Sequence, residues 1–224
     1  MNRRQAVQKV ALLMGGTILG AELFIQTGCK TATEKETVAN ALPDFFTKDE
    51  IAYLDEIAET ILPRTTTPGA KDAKVGEFMN VMVRDCYTPQ DQEVFKAGLT
   101  TIENLSKQQY SNGFLQLQPQ QRTDLLTALD KEAKEFTNTE DYKTKRDALQ
   151  KEENLKDSVE RSKGNFGYTK KHISKHYFSM MKELTLLGFF TSEPGATKAL
   201  RYVAIPGKYD PCIPYAQGDK AWAT

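Results

Sequence analysis

The sequence carries no excess charge of either sign, because 30 Lys and Arg balance 30 Asp and Glu over 224 residues. A nucleic-acid binder shows a basic excess or a basic stripe, and neither occurs here. There is no G-x-G-x-x-G turn after a strand and no P-loop, so the sequence holds no nucleotide fingerprint. Haem attachment through C-x-x-C-H and paired C-x-x-C metal motifs are missing too, and only three cysteines and two histidines are available. The sequence therefore predicts that no redox cofactor is held by this chain. Long apolar runs are confined to the first 29 residues, and the mean hydropathy of −0.54 excludes a protein of many membrane spans. No segment alternates apolar and polar residues for long enough to predict a strand.

What is present begins at the N-terminus. Arg3 and Arg4 precede an apolar run over residues 10–25, which closes at Gly28-Cys29. Gly15, Gly16, Gly20 and Glu22 interrupt the run, leaving it short for a spanning helix. A basic start, a short apolar run and a small residue before a cysteine read as an export signal over residues 1–29. The arginine pair is a twin-arginine address, the route for chains exported already folded. Gln26-Thr27-Gly28-Cys29 resembles a lipoprotein box, in which Cys29 takes a lipid and becomes the mature N-terminus. Asn2, Ala6 and Gln26 depart from those patterns, and the alternative is an uncleaved anchor helix. The expectation is a periplasmic protein anchored to the membrane through Cys29. An oxidising compartment then permits Cys86 and Cys212 to bridge each other, or one of them to bridge a partner.

Residues 30–43 form a polar tether, and a single helical domain follows over 44–224. Thr47-Lys48-Asp49-Glu50 is a capping box opening a helix whose apolar face is Ile51, Leu54, Ile57, Ala58 and Ile61. A second helix carries Val75, Phe78, Met79, Met82, Val83 and Cys86 at steps of three and four. Pro89 opens a third, broken at Asn112-Gly113, and Pro119 a fourth with Leu125, Leu126, Leu129, Ala133 and Phe136. Residues 137–165 are a charged insertion, either a solvated helix or a partly disordered loop. Ile173, Tyr177, Met180, Leu184 and Leu187 predict a fifth helix ended by Gly188, and a short sixth runs to Arg201. An extended, aromatic-rich tail closes an all-α domain.

His172 and His176 fall four apart on the predicted fifth helix, a spacing able to present two imidazoles to a metal. No third ligand is evident, so they read as histidines at the edge of the core. The carboxylates Asp44, Asp49, Glu56 and Glu59 read as a solvated helix face. The run from Tyr177 to Phe190 is apolar nearly all round, more than one face of a small domain buries. Such surplus predicts a protein interface, with Tyr177, Phe178, Met181, Phe189 and Phe190 as its candidate residues. No catalytic residue is predicted.

The segments FFTKDEIAYLDEIAETILPRTTTPGAKDAKVGEFMNVMVRDCY and HYFSMMKELTLLGFFTSEPGATKALRYVAIPGKYDPCIPY, with a closing KAW, resemble the gluconate 2-dehydrogenase subunit 3 family. The likeness runs from Phe45 to Cys86 and from Phe166 to Trp222, leaving the charged middle unmatched. It implies a non-catalytic small subunit of a large flavoprotein of the glucose-methanol-choline type, with FAD in that partner and a cytochrome as a further candidate subunit. It also gives the twin-arginine signal a purpose, since a flavin-loaded partner folded in the cytoplasm would be carried across bound to this chain. The competing readings are a stand-alone periplasmic metal enzyme using His172 and His176, or a purely structural lipoprotein.

Overall fold

In the computed structural model, residues 43–205, 207, 212 and 214–223 are described. The expectations for Arg3, Arg4 and Cys29 lie outside these residues. Six α-helices follow one another among the described residues. The first, α1 (Lys48–Ile61), starts where the sequence places its capping box: the Glu50 N–H donates to the Thr47 hydroxyl at 3.2 Å, and the Thr47 N–H donates to the Glu50 carboxylate at 2.8 Å. Two orphan amides of the first turn are thereby satisfied. Leu54, Ile57 and Ala58 turn into the core. The outer carboxylates of α1 do more than face solvent. Glu59 accepts the backbone N–H groups of Arg64 and Lys71 at 2.8 Å each, and Glu56 pairs with Lys71 and Arg122. They brace the loop leading to the next helix.

Helix α2 (Val75–Cys86) buries the row Val75, Met79 and Val83. The neighbouring row passes from half-buried Phe78 and Met82 to exposed Cys86. The apolar stripe read along the sequence therefore holds for three turns and leaves Cys86 at the surface, because the 78–82–86 row runs beside the buried row, at the edge of the covered face. Asn80, also buried, sits in the middle of this helix and accepts the backbone N–H groups of Phe45 and Phe46 at 3.0 Å each. It ties the entry of the domain to its second helix.

Helix α3 (Pro89–Tyr110) begins at Thr88, buries Phe95, Leu99 and Ile102, and stops at Ser111, whose φ of 59° is left-handed. A 3₁₀ turn, Phe114–Gln116, then buries the Phe114 ring. Helix α4 (Pro119–Asn138) buries Leu125, Leu126, Leu129 and Ala133. The charged insertion is helical: α5 (Glu140–Ser162) runs for 23 residues, of which Tyr142, Glu153 and Asp157 are buried.

Helix α6 (Tyr177–Thr191) packs against α1, α2, α3 and α4 and against the turn that follows it. It differs from the sequence expectation at both ends. It begins at Tyr177, leaving Ile173 in an extended segment, and it runs through Gly188 to Thr191. A Cβ on Gly188 would lie 2.6 Å from the Phe78 ring. The residue is there for the close approach of α6 to α2, not as a helix stop. The expected sixth helix is a single wide turn, Gly195–Ala199. Beyond it Arg201 and Trp222 form an isolated parallel bridge. The Arg201 guanidinium also lies over the Trp222 ring at 4.5 Å. No other strand pairing occurs among the described residues, and the fold is all-α.

Candidate partner interface

Helix α6 is the candidate because its composition exceeds what one face can bury, and the bundle shows which residues that surplus concerns. Four helices surround α6, so most of its circumference is core. Phe178, Met181 and Phe189 are 2%, 0% and 4% exposed. Tyr177 is half-buried, its ring pressed against the Gly98 backbone of α3 and stacked on His176 at 4.3 Å. Four of the five residues expected to meet a partner are thus engaged by the chain's own fold. The sequence pattern overstated the surplus because a central helix buries more than one face.

Phe190 is the fifth, and it remains 40% exposed. Leu186 and Leu187, four and three residues earlier, lie on the same side and are 37% and 46% exposed. Phe189 supports the patch from beneath, its ring edge-on to Phe190 at 5.1 Å. Leu186 and Leu187, exposed beside Phe190, are not among the five candidates read from the sequence. Only the tertiary neighbours of α6 separate the two sets. The chain continues from this patch into the tail, where Tyr202, Val203, Ile205 and Tyr215 are exposed. Single exposed apolar residues are ordinary, but three on one helix followed by an exposed aromatic tail make a patch with the character of a binding surface.

The remaining sequence candidates separate. His172 and His176 do not share a helix. His172 lies in the extended segment before α6, its Nε2 2.6 Å from the Asp91 carboxylate at the start of α3. Burial works to raise the Asp91 carboxyl, but its hydrogen bonds and the facing imidazole hold it below the ordinary value. His176 is the N-cap of α6: the Phe178 N–H donates to its Nδ1 at 3.2 Å. Burial lowers the His176 pKa and outweighs the opposing pull of Glu132, which favours the neutral ring that can accept that bond. Each imidazole thus has a structural task. No cluster of three or more His, Cys, Asp or Glu able to hold a metal occurs among the described residues. Cys86 is an exposed thiol, 4.0 Å from the Met82 sulfur, and Cys212 is exposed as well. The two are not joined to each other in this structure.

One cluster escaped the sequence reading altogether. Buried Glu153 on α5 accepts from the Tyr168 hydroxyl at 2.6 Å, the Lys171 backbone N–H at 2.9 Å and the Lys156 ammonium at 2.9 Å. These bonds, Lys156 first, pull its pKa down to about 2. Asp157, one turn on, binds Arg161 and Lys170. Together they pin the extended segment of residues 168–175 along α5. Carboxylates in a charged run give no local sign that two of them are turned inward.

No curated protein and no solved structure matches the chain. The family model for gluconate 2-dehydrogenase subunit 3 matches residues 48–207, from the first residue of α1 through α6 and the turn after it, and it spans the charged α5 as well. A match over most of the chain, on a helical fold with an unpaired apolar patch, identifies the protein as a member of the gluconate 2-dehydrogenase subunit 3 family, one subunit of a multi-subunit dehydrogenase complex.

Proposed function

We propose that this chain is the non-catalytic small subunit that binds a large flavin-dependent dehydrogenase of the glucose-methanol-choline type, helps to export it and stabilises it in the periplasm. FAD belongs to that partner, and a cytochrome subunit is a further member of the assembly. In this reading Arg3 and Arg4 direct export by the twin-arginine route, and a lipid on Cys29 holds the complex at the membrane. The observation that carries the reading is the patch of Leu186, Leu187 and Phe190 on the most buried helix of the domain. An apolar patch continued by an aromatic tail suits a lasting interface, which buries more apolar area than a transient one.

The test is co-purification of a flavoprotein from the periplasm of cells carrying wild-type chain, a deletion, or the Leu187→Asp and Phe190→Asp variants. Truncating a buried interface aromatic typically costs about 2 kcal/mol of binding or more, and a charge in its place costs at least as much. The expected result is loss of the flavoprotein and of dehydrogenase activity with either variant, at an unchanged melting temperature. Undiminished periplasmic flavoprotein in the deletion strain would overturn the reading.

A further inference from the structure

The groove between α5 and the extended segment 168–175 is unconnected with the α6 patch. It encloses 370 Å³. Its α5 wall is built by Tyr142, Arg146, Leu149, Gln150 and Glu153, spaced to fall on one helix face. The facing wall is residues 170–173 with Lys175. Tyr142 is buried, and Leu149 and Ile173 are half-buried, so the interior is apolar. Both walls are fixed without a ligand. Glu153 holds the Lys171 backbone to α5, and His172 ties the same segment to Asp91 of α3. Pre-formed walls of this kind lower the ordering cost of binding.

The rim is basic, and its cations differ in their engagement. Lys170 is paired with Asp157 at 3.2 Å, Lys175 with Glu183 at 2.7 Å, and Arg146 with Asp147 at 2.8 Å. Glu153, the one carboxylate of the groove, is neutralised by Lys156. Lys171 uses its backbone N–H on Glu153, and its ammonium has no ion-pair partner among the described residues. An apolar interior with one uncompensated cation at its edge is complementary to a molecule with an apolar body and one negative head. A metal ion would find a single carboxylate there, already neutralised by Lys156, and is disfavoured. The volume equals that of about a dozen water molecules at about 30 Å³ each. This is small-molecule size, short of a folded peptide.

We propose that this groove is a binding site for a small amphipathic carboxylate, with Lys171 receiving the carboxylate and Leu149, Ile173 and Tyr142 covering the apolar body. Isothermal titration of the purified chain with octanoate tests it, beside acetate, which has the head without the body, and 1-octanol, which has the body without the head. Octanoate should bind saturably at one site per chain, with acetate and octanol each weaker by about tenfold or more. Lys171→Gln should weaken octanoate by about tenfold, the effect of losing one charge-assisted hydrogen bond, and Lys171→Arg should largely restore it. Both substitutions keep the backbone bond to Glu153, and unchanged hydrogen-exchange protection of the Lys171 amide checks that the groove wall persists. The absence of saturable octanoate binding, equal affinity for acetate, or undiminished binding by Lys171→Gln would each overturn the proposal.

Discussion

Helices α5 and α6 are built from opposite materials and are held by opposite forces. Helix α6, 15 residues long, lies among four helices with seven buried residues, five of them Phe, Met or Leu. Helix α5, 23 residues long, buries only three, two of them carboxylates. Its neighbours are α4 and the extended segment it binds through Glu153 and Asp157. Nonpolar burial is not screened by salt and is nearly independent of pH, whereas carboxylate anchors depend on the charge state of the group. The difference teaches that this domain has two zones of stability. A bundle around α6 sets the global fold, and a charged arm is able to open at lower free energy.

The comparison breaks most visibly at Phe178. Its ring is buried, so Phe178→Ala should cost about 3–5 kcal/mol through lost transfer energy and an unfilled cavity. Thermal unfolding should shift strongly, and hydrogen exchange should show protection lost in α6 and the helices around it, with α5, which opens at lower free energy, changing less. If the variant melts like the wild type and loses only partner binding, Phe178 faces a partner after all and the central position of α6 is mistaken.

Glu153→Gln sharpens the comparison from the other side. The folded carboxyl sits at about 2, below its ordinary value of 4.5. A depressed acid stabilises the fold above its unfolded pKa, and that contribution disappears as pH falls through the folded value. The variant should therefore be less stable than the wild type above pH 4.5, with the gap closing as pH falls towards 2. Hydrogen exchange should place the loss in α5 and residues 168–175, with α6 unaffected. A gap independent of pH would mean that Glu153 acts by packing alone.

The smallest effect is expected on the outer face of the arm. Lys145 and Asp141 pair at 2.8 Å with both side chains well exposed. Lys145→Ala should change stability by no more than about 0.5 kcal/mol, and added salt should remove even that. A larger loss in urea unfolding would show that α5 depends on its outer ion pairs as well as on its buried carboxylates.

How much of this was legible in the sequence follows from the range of the interactions involved. The capping box at Thr47 and Glu50 spans three residues, and the rows 75–79–83 and 125–129–133 repeat within one helix. Those features are local, so helix positions and much of the core could be read directly. The anchor at Glu153 takes its partners from 15 and 18 residues away, and the Asp91–His172 contact spans 81. Neither has a periodic signature. The same holds for Gly188, which reads as a helix stop until the Phe78 ring is placed against it.

The sequence alone therefore determined that this is a helical chain, where α1, α3 and α4 begin, and that α6 is apolar nearly all round. Its wording also pointed to the family that residues 48–207 match. Only the tertiary structure decided how that apolar surface divides, with Phe178, Met181 and Phe189 inward and Leu186, Leu187 and Phe190 outward. It also decided that a run of mixed charges is a helix fastened by two inward carboxylates. The reason is physical. Helix periodicity is a property of neighbours along the chain, but which side of a helix is covered depends on elements distant in sequence.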